Sequence, residues 1–331
     1  MTGVFDHPWL GGLFGDADAA TLWSPERQIS HMLRFEAAFT RALGSVGTVP
    51  AATADMVAAQ IETFAPDHQA LRDGTARDGV VVPDLVRQLK VAISDSPNAI
   101  HTGTTSQDVI DTALALTVKE FNDLLDLRLQ ALIASLSDLA DRFGGEELMG
   151  RTRMQAAVAI TVGDRLRTWS EPLGRHRARL ADIRPDVECL QLGGAAGNRA
   201  TLGANGAAVA AHMADALGLN NPASARHPMR DGLGDYANLL SLISGTIGKM
   251  GQDVCLMAQQ GVDEITLQGG GGSSAMPHKQ NPVLAELLVT LARFNATQVG
   301  GMHHALVHEQ ERSGAAWALE WMILPQMAQT T

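Results

Sequence analysis

Leu125, Leu129, Leu132, Leu136 and Leu139 fall at alternating steps of four and three. Only a long helix keeps such a heptad seam on one face. Tyr236, Leu240, Ile243, Ile247, Met250, Val254 and Met257 repeat the rhythm. A third long helix is expected from about Thr152 to Ile183, and a fourth from Pro282 to about Val307. Several seamed helices predict an all-α fold, a long-helix bundle in which facing helices build the sites. Seams of this length can pack within one chain or between copies of it.

Ser24 and Pro25 suit an N-cap and a first helical position, opening a helix through Leu43. Shorter helical pieces follow to about Ser94, with loops expected at Gly74–Gly79 and Ser94–Asn98. The best strand signal is Val80-Val81-Val82, which Pro83 demotes. The chain divides into an N-terminal helical domain, 1–96, and a central long-helix bundle, 97–331, expected to carry assembly and the active site.

A formal net charge of −11 argues against a nucleic-acid or anionic-membrane partner, both of which need a basic surface. It leaves room for a small anionic substrate, which needs only a local cluster of cations. Cys189 and Cys255 form neither a disulfide framework nor a metal-ligand spacing. The start lacks a secretion signal, and no apolar run approaches the roughly 20 residues that span a bilayer. A cytoplasmic location is the expectation.

The most specific stretch runs Gln268-Gly269-Gly270-Gly271-Gly272-Ser273-Ser274-Ala275-Met276-Pro277-His278-Lys279-Gln280-Asn281-Pro282. Four consecutive glycines cannot hold a helix and let backbone approach a ligand closely. Two serines, a lysine and the start of a helix then converge, which suits an anion and a weak oxygen base. A Gly/Ser linker would not continue as Met-Pro-His-Lys-Gln-Asn-Pro.

The run from Gly272 to Pro282 resembles the signature of the fumarase/aspartase superfamily. Two further regions are similar to motifs of that superfamily, in the same order: His101-Thr102-Gly103-Thr104-Thr105-Ser106-Gln107-Asp108 and Gly150-Arg151-Thr152-Arg153-Met154-Gln155. In the first, hydroxyls and free N–H groups precede a helix beginning near Gln107, an arrangement that binds a carboxylate or merely caps the helix. The resemblance places Ser273, Lys279 and Glu286 in the catalytic group. It places His101, Thr105, Ser106, Arg153, Gln155, Asn281 and Arg312 around the substrate. Ser273 corresponds to the residue that exchanges a proton alpha to a carboxylate, and Lys279 and Asn281 to substrate contacts. No metal or cofactor is implied.

Most lyases of the superfamily carry a histidine where this chain has Arg153, with a carboxylate partner where Glu286 stands. That histidine serves the leaving-group side. A carboxylate leaving group, with a pKa of about 4, needs no acid there, and a fixed cation can hold it. The substitution therefore points to the carboxymuconate cycloisomerase branch, as does the stretch His308-Glu309-Gln310-Glu311-Arg312-Ser313-Gly314-Ala315-Ala316-Trp317. The resemblance implies closure of a carboxylated muconate, a small tricarboxylate, to a lactone. A fumarate-releasing lyase of the adenylosuccinate or argininosuccinate type, or a cycloisomerase for a sulfonated muconate, remains open. Arg312 is a carboxylate clamp or a partner of Glu309 or Glu311. Arg230, in His227-Pro228-Met229-Arg230-Asp231, is a structural candidate.

The resemblance also implies a homotetramer whose sites draw on three chains, and a further C-terminal helical domain that is short or absent here. His303, His304 and His308 include an i,i+4 pair that could hold a metal, which the superfamily does not use. Gly193–Gly197 lacks the preceding strand and lysine of a phosphate loop and is expected to be a helix break.

Overall fold

A computed structural model describes residues 3–268, 271–272, 275–276 and 279–331. Two short helices, α1 (Gly11–Phe14) and α2 (Ala17–Leu22), precede four helices of the N-terminal region: α3 (Pro25–Ser45), α4 (Ala51–Glu62), α5 (His68–Asp78) and α6 (Val82–Ala92). The long helix α7 (Ser106–Phe143) leads to a hairpin, β1 (Glu147–Thr152) and β2 (Gln155–Thr161), and then α8 (Val162–Val187). After α9 (Gly206–Leu217), the helices α10 (Asp231–Met257), α11 (Val283–His304) and α12 (Ala315–Thr330) complete the described fold. The all-α long-helix expectation therefore holds. No described helix is long and apolar enough to cross a membrane.

The helix ends follow local chemistry. Ser24 accepts from the Arg27 N–H at 3.2 Å, with Pro25 at the first position of α3. Asp67 accepts from the N–H groups of Gln69 and Ala70, and Gly79 ends α5 in the left-handed region, φ 76°. Gly74 lies inside α5 rather than in the expected loop. A Cβ there would stand 2.6 Å from the Cβ of Asp84, so glycine lets α5 and α6 meet. Val82 opens α6, in keeping with the demotion of Val80–Val82 as a strand, because the fixed φ and missing N–H of Pro83 suit a first helical turn.

The expected helix from Thr152 is also corrected. Residues 147–161 form the antiparallel hairpin, with a bulge opposite Gly150. Helix α8 starts only at Val162, where Asp164 and Thr161 exchange hydrogen bonds of 2.9–3.1 Å across the first turn. The hairpin turn is Arg153-Met154, both left-handed at φ 50° and 68°. Asparagine and glycine adopt that type I′ geometry readily, so nothing in Arg-Met announces it.

Two apolar clusters hold the molecule. The first joins α3–α6 to α9 and the first turns of α7, with Met32, Phe35, Phe39, Ile61, Leu85 and Leu89 at its centre. The second runs along the bundle of α7, α8, α10 and α12. Leu125, Leu129 and Leu136 of the first seam are buried, Leu132 is partly so, and Leu139 remains exposed. Tyr236, Leu240 and Ile243 of the second seam are fully buried. Helix α11 lies close along α10, since a Cβ on Gly251 would come within 2.6 Å of the Ala285 carbonyl oxygen.

Helices α7 and α10 run in one direction, with α8 and α11 packed against them and returning. At a rise of 1.5 Å per residue, the 38 residues of α7 span about 57 Å. The bundle therefore has two distant ends, one at the start of α7 and one at the hairpin.

Candidate active site

At the first end, residues 101–105 turn into α7. His101 takes a left-handed φ of 56°, which is strained for a side chain with a Cβ. Its Nδ1 lies 2.6 Å from Oε1 of Glu36, a fully buried residue of α3. Burial pushes the imidazole pKa down, but the Glu36 carboxylate outweighs it and the net shift is upward. Thr105 is the N-cap residue of α7, and Asp108 reaches back to accept from its N–H at 3.0 Å. The same carboxylate accepts from Gly193 N–H at 2.6 Å and Gly194 N–H at 2.9 Å, and pairs with His227 Nε2 at 2.9 Å. Asp108 thus rivets three chain segments around the turn. Gly193–Gly197 accordingly belongs to an irregular connection after α8, not to a break within a helix.

Arg312 joins this end. Its Nε donates to Gln107 Oε1 at 2.8 Å, and Nη2 donates to the carbonyls of Gly194 and Ala195 at 3.4 and 3.3 Å. Those contacts replace the alternative pairing with Glu309 or Glu311. Gln107 is fully buried, and its amide donates to Asp111 and to the His227 carbonyl, which leaves Oε1 for the guanidinium. Asp111 also accepts from Trp317 Nε1 at 2.9 Å and from Arg230 at 2.7 Å. Arg230 donates through Nε and Nη2 to both oxygens of Glu320 at 2.8 and 2.5 Å. Burial alone would lower the Arg230 pKa; Asp111 and Glu320 reverse that and hold it strongly protonated. The structural reading of Arg230 holds, and the network fixes the floor beneath Arg312.

The second end holds the hairpin and the glycine-rich segment. Arg153 stands exposed at the hairpin tip and Gln155 at the start of β2. Arg151 pairs with Glu264, which ties the hairpin to the chain leaving α10. Gly271 and Asn281 exchange two backbone hydrogen bonds of 2.9 Å, closing the segment just before α11. Lys279 is exposed, and Glu286 sits in the first turn of α11. The Glu286 charge faces Cys255 on α10; burial and then that charge push the thiol pKa upward. Ser273 lies outside the described residues, as do Gly269, Gly270, Ser274, Pro277 and His278.

One chain therefore gathers His101, Thr105, Ser106 and Arg312 at one end, and Arg153, Gln155, Lys279, Asn281 and Glu286 at the other. Helix α7 spans about 57 Å between His101 and the hairpin, and α11, about 33 Å for its 22 residues, lies between Glu286 and Arg312, so each gap is far beyond any side chain's reach. The histidine pair is not a helical ligand pair, because α11 ends at His304 and His308 lies beyond it. Sequence reasoning missed Gln107 as a holder of Arg312 and Glu36 as a partner of His101. A Thr followed three residues later by Asp could have marked Asp108 as an N-cap partner. Nothing local marks Glu36.

A family model described as a lyase matches residues 18–301. Among similar proteins is a 3-carboxy-cis,cis-muconate cycloisomerase of Pseudomonas aeruginosa, 37% identical over 334 residues, covering 99% of this chain and 73% of that protein. An N-acetyl-S-(2-succino)cysteine lyase of Enterococcus italicus is 31% identical, covering 98% of this chain and 72% of that one. The crystal structure of the 3-carboxy-cis,cis-muconate lactonizing enzyme from Pseudomonas putida superposes with a TM-score of 0.90 at 34% identity, covering 98% of this chain and 74% of that one. Three motif regions in order, a bundle of long helices and a similarity running nearly the whole length agree: the chain belongs to the fumarase/aspartase family of lyases.

Proposed function

We propose that this protein closes 3-carboxy-cis,cis-muconate to a lactone, the reaction for which several similar proteins are named, in the degradation of aromatic compounds. The observation that carries the reading is Arg153, a cation at the turn where most lyases of the family hold an acid. In ring closure, one carboxylate of the substrate adds across the conjugated double bond. The electrons pass to the neighbouring carboxylate, giving an aci-carboxylate dianion, and a proton then reaches the alpha carbon. The attacking carboxylate needs orientation and no proton, so a guanidinium serves it better than imidazole. Ser273 is the proton donor, Lys279 and Asn281 steady the dianion, and Glu286 balances the local charge. His101, Thr105, Ser106, Gln155 and Arg312 hold the other carboxylates.

The two halves of this site meet only if copies of the chain lie side by side in opposite directions. A homotetramer with D2 symmetry supplies four such meetings. Apolar side chains left uncovered on the long helices support it: Leu127 and Phe143 of α7, Leu242 of α10, and Leu284 of α11, the last 72% exposed. The hairpin adds Met154 and Val158, 72% and 68% exposed.

Purified protein mixed with 3-carboxy-cis,cis-muconate is expected to bleach the diene's ultraviolet absorbance with nothing added. Intact absorbance at high enzyme concentration, together with fumarate release from adenylosuccinate or argininosuccinate, would replace this reading with a lyase. Arg153→His is expected to raise KM roughly tenfold or more, the scale of one charge-assisted hydrogen bond, while kcat changes less. An unchanged KM would remove Arg153 from the substrate.

A further inference from the structure

We propose that Glu36, on α3, is a positioning residue that fixes His101 as a protonated donor with Nε2 facing the substrate. The assignment rests on the reading that the turn at residues 101–106 binds a substrate carboxylate.

Glu36 is fully buried and His101 is its one hydrogen-bond partner among the described residues, at 2.6 Å. The other carboxylate oxygen, Oε2, has none there. A buried carboxylate without a proton donor is costly, and packing alone would favour an apolar residue at that place. Retaining it makes physical sense if it acts on the imidazole. An ionised carboxylate only accepts, so Nδ1 must carry the proton and the ring orientation is fixed. Nε2 has no hydrogen-bond partner among the described residues, on a side chain that keeps 16% of its surface open. The left-handed backbone at His101 is a second constraint aiming the ring.

Charged groups on each packed element bear on the same ring. Glu36 on α3 and Asp108 on α7 favour the imidazolium, while Lys90 on α6 and burial oppose it, with a net upward result. Asp108 is already saturated by backbone and His227 contacts, so it contributes field rather than a hydrogen bond to His101. Glu36 is therefore the group whose removal should release the ring. His101 then supplies a cation beside Ser106, on the same turn that Arg312 reaches through Gln107.

The test pairs a substrate-free titration with kinetics. In protein labelled with 13C-histidine, with His101→Gln used for assignment, the His101 resonance should titrate above the ordinary histidine midpoint of 6.5. Glu36→Gln should lower that midpoint and raise KM for 3-carboxy-cis,cis-muconate about tenfold or more, with kcat changed less. A folded pKa raised by pairing gives stability that is full below about pH 6.5 and is lost as pH rises through the raised midpoint. The stability gap between wild type and Glu36→Gln should therefore close with rising pH. A wild-type midpoint at or below 6.5, which does not depend on Glu36→Gln folding, overturns the proposal. So does a lowered midpoint with unchanged KM. If wild type does not turn the muconate over, the proposed function falls, and the His101 titration still decides the pairing with Glu36.

Discussion

Ser273→Ala is expected to lower kcat by roughly 10²–10⁴-fold, the usual worth of a positioned proton-transfer group. Far-ultraviolet circular dichroism and the oligomeric state should not change, since the substitution removes one hydroxyl from the glycine-rich segment and no apolar group. The paired experiment is more demanding. Arg312→Ala is expected to be nearly inactive too, through loss of a carboxylate clamp. Because Arg312 lies at the opposite end of the bundle from α11's start, a site that takes the two residues from different copies survives in mixed assemblies. Unfolding the two inactive variants together and refolding them should restore about a quarter of the sites, if each site draws one residue from either kind of chain at random. Recovery at the level of the separate variants would show that both residues serve from the same chain, and the shared-site arrangement would fail. Near-normal turnover by Ser273→Ala alone would remove the serine from the mechanism.

Arg230→Met should be the most destabilising single change described here, at about 3–5 kcal/mol, because it leaves two buried carboxylates facing each other without their cation. Arg230 bridges Asp111 on α7 and Glu320 on α12, and all three are almost completely buried. Lysine keeps the charge but cannot offer the fork that meets both oxygens of Glu320, so Arg230→Lys should recover only part of the loss. Urea unfolding followed by circular dichroism measures both. A loss below about 1 kcal/mol for Arg230→Met would mean that the carboxylates take up protons or water cheaply, and the network would not be the support for Arg312 inferred above.

Long helices and the three motifs were legible in the sequence because each depends on local pattern. A heptad seam is a property of neighbouring turns, and Ser24-Pro25 caps its helix with atoms three residues away. The misreadings have physical causes of the same kind. Arg153-Met154 takes a turn that its residues do not favour, so no local signal announces the hairpin, and α8 starts at Val162, ten residues after the Thr152 that the pattern predicts. Gly74 reads as a break, yet a helix tolerates it where Asp84 needs the space. Val80–Val82 has strand composition, and its demotion by Pro83 agrees with the structure, where Val82 opens α6.

The site divides along the same line. Sequence by itself displayed the residue types on offer: a glycine-rich segment with a hydroxyl, a turn of hydroxyls before a helix, and an arginine where the family resemblance leads one to expect a histidine. These are short runs whose residue types carry their meaning locally. Tertiary structure alone decided who holds whom. Glu36 meets His101 across 65 positions, Gln107 meets Arg312 across 205, and Arg230 meets Glu320 across 90. It also decided that the motifs stand at opposite ends of a helix about 57 Å long. Partners that far apart along the chain are chosen by the packing of whole helices, and no local pattern records that choice.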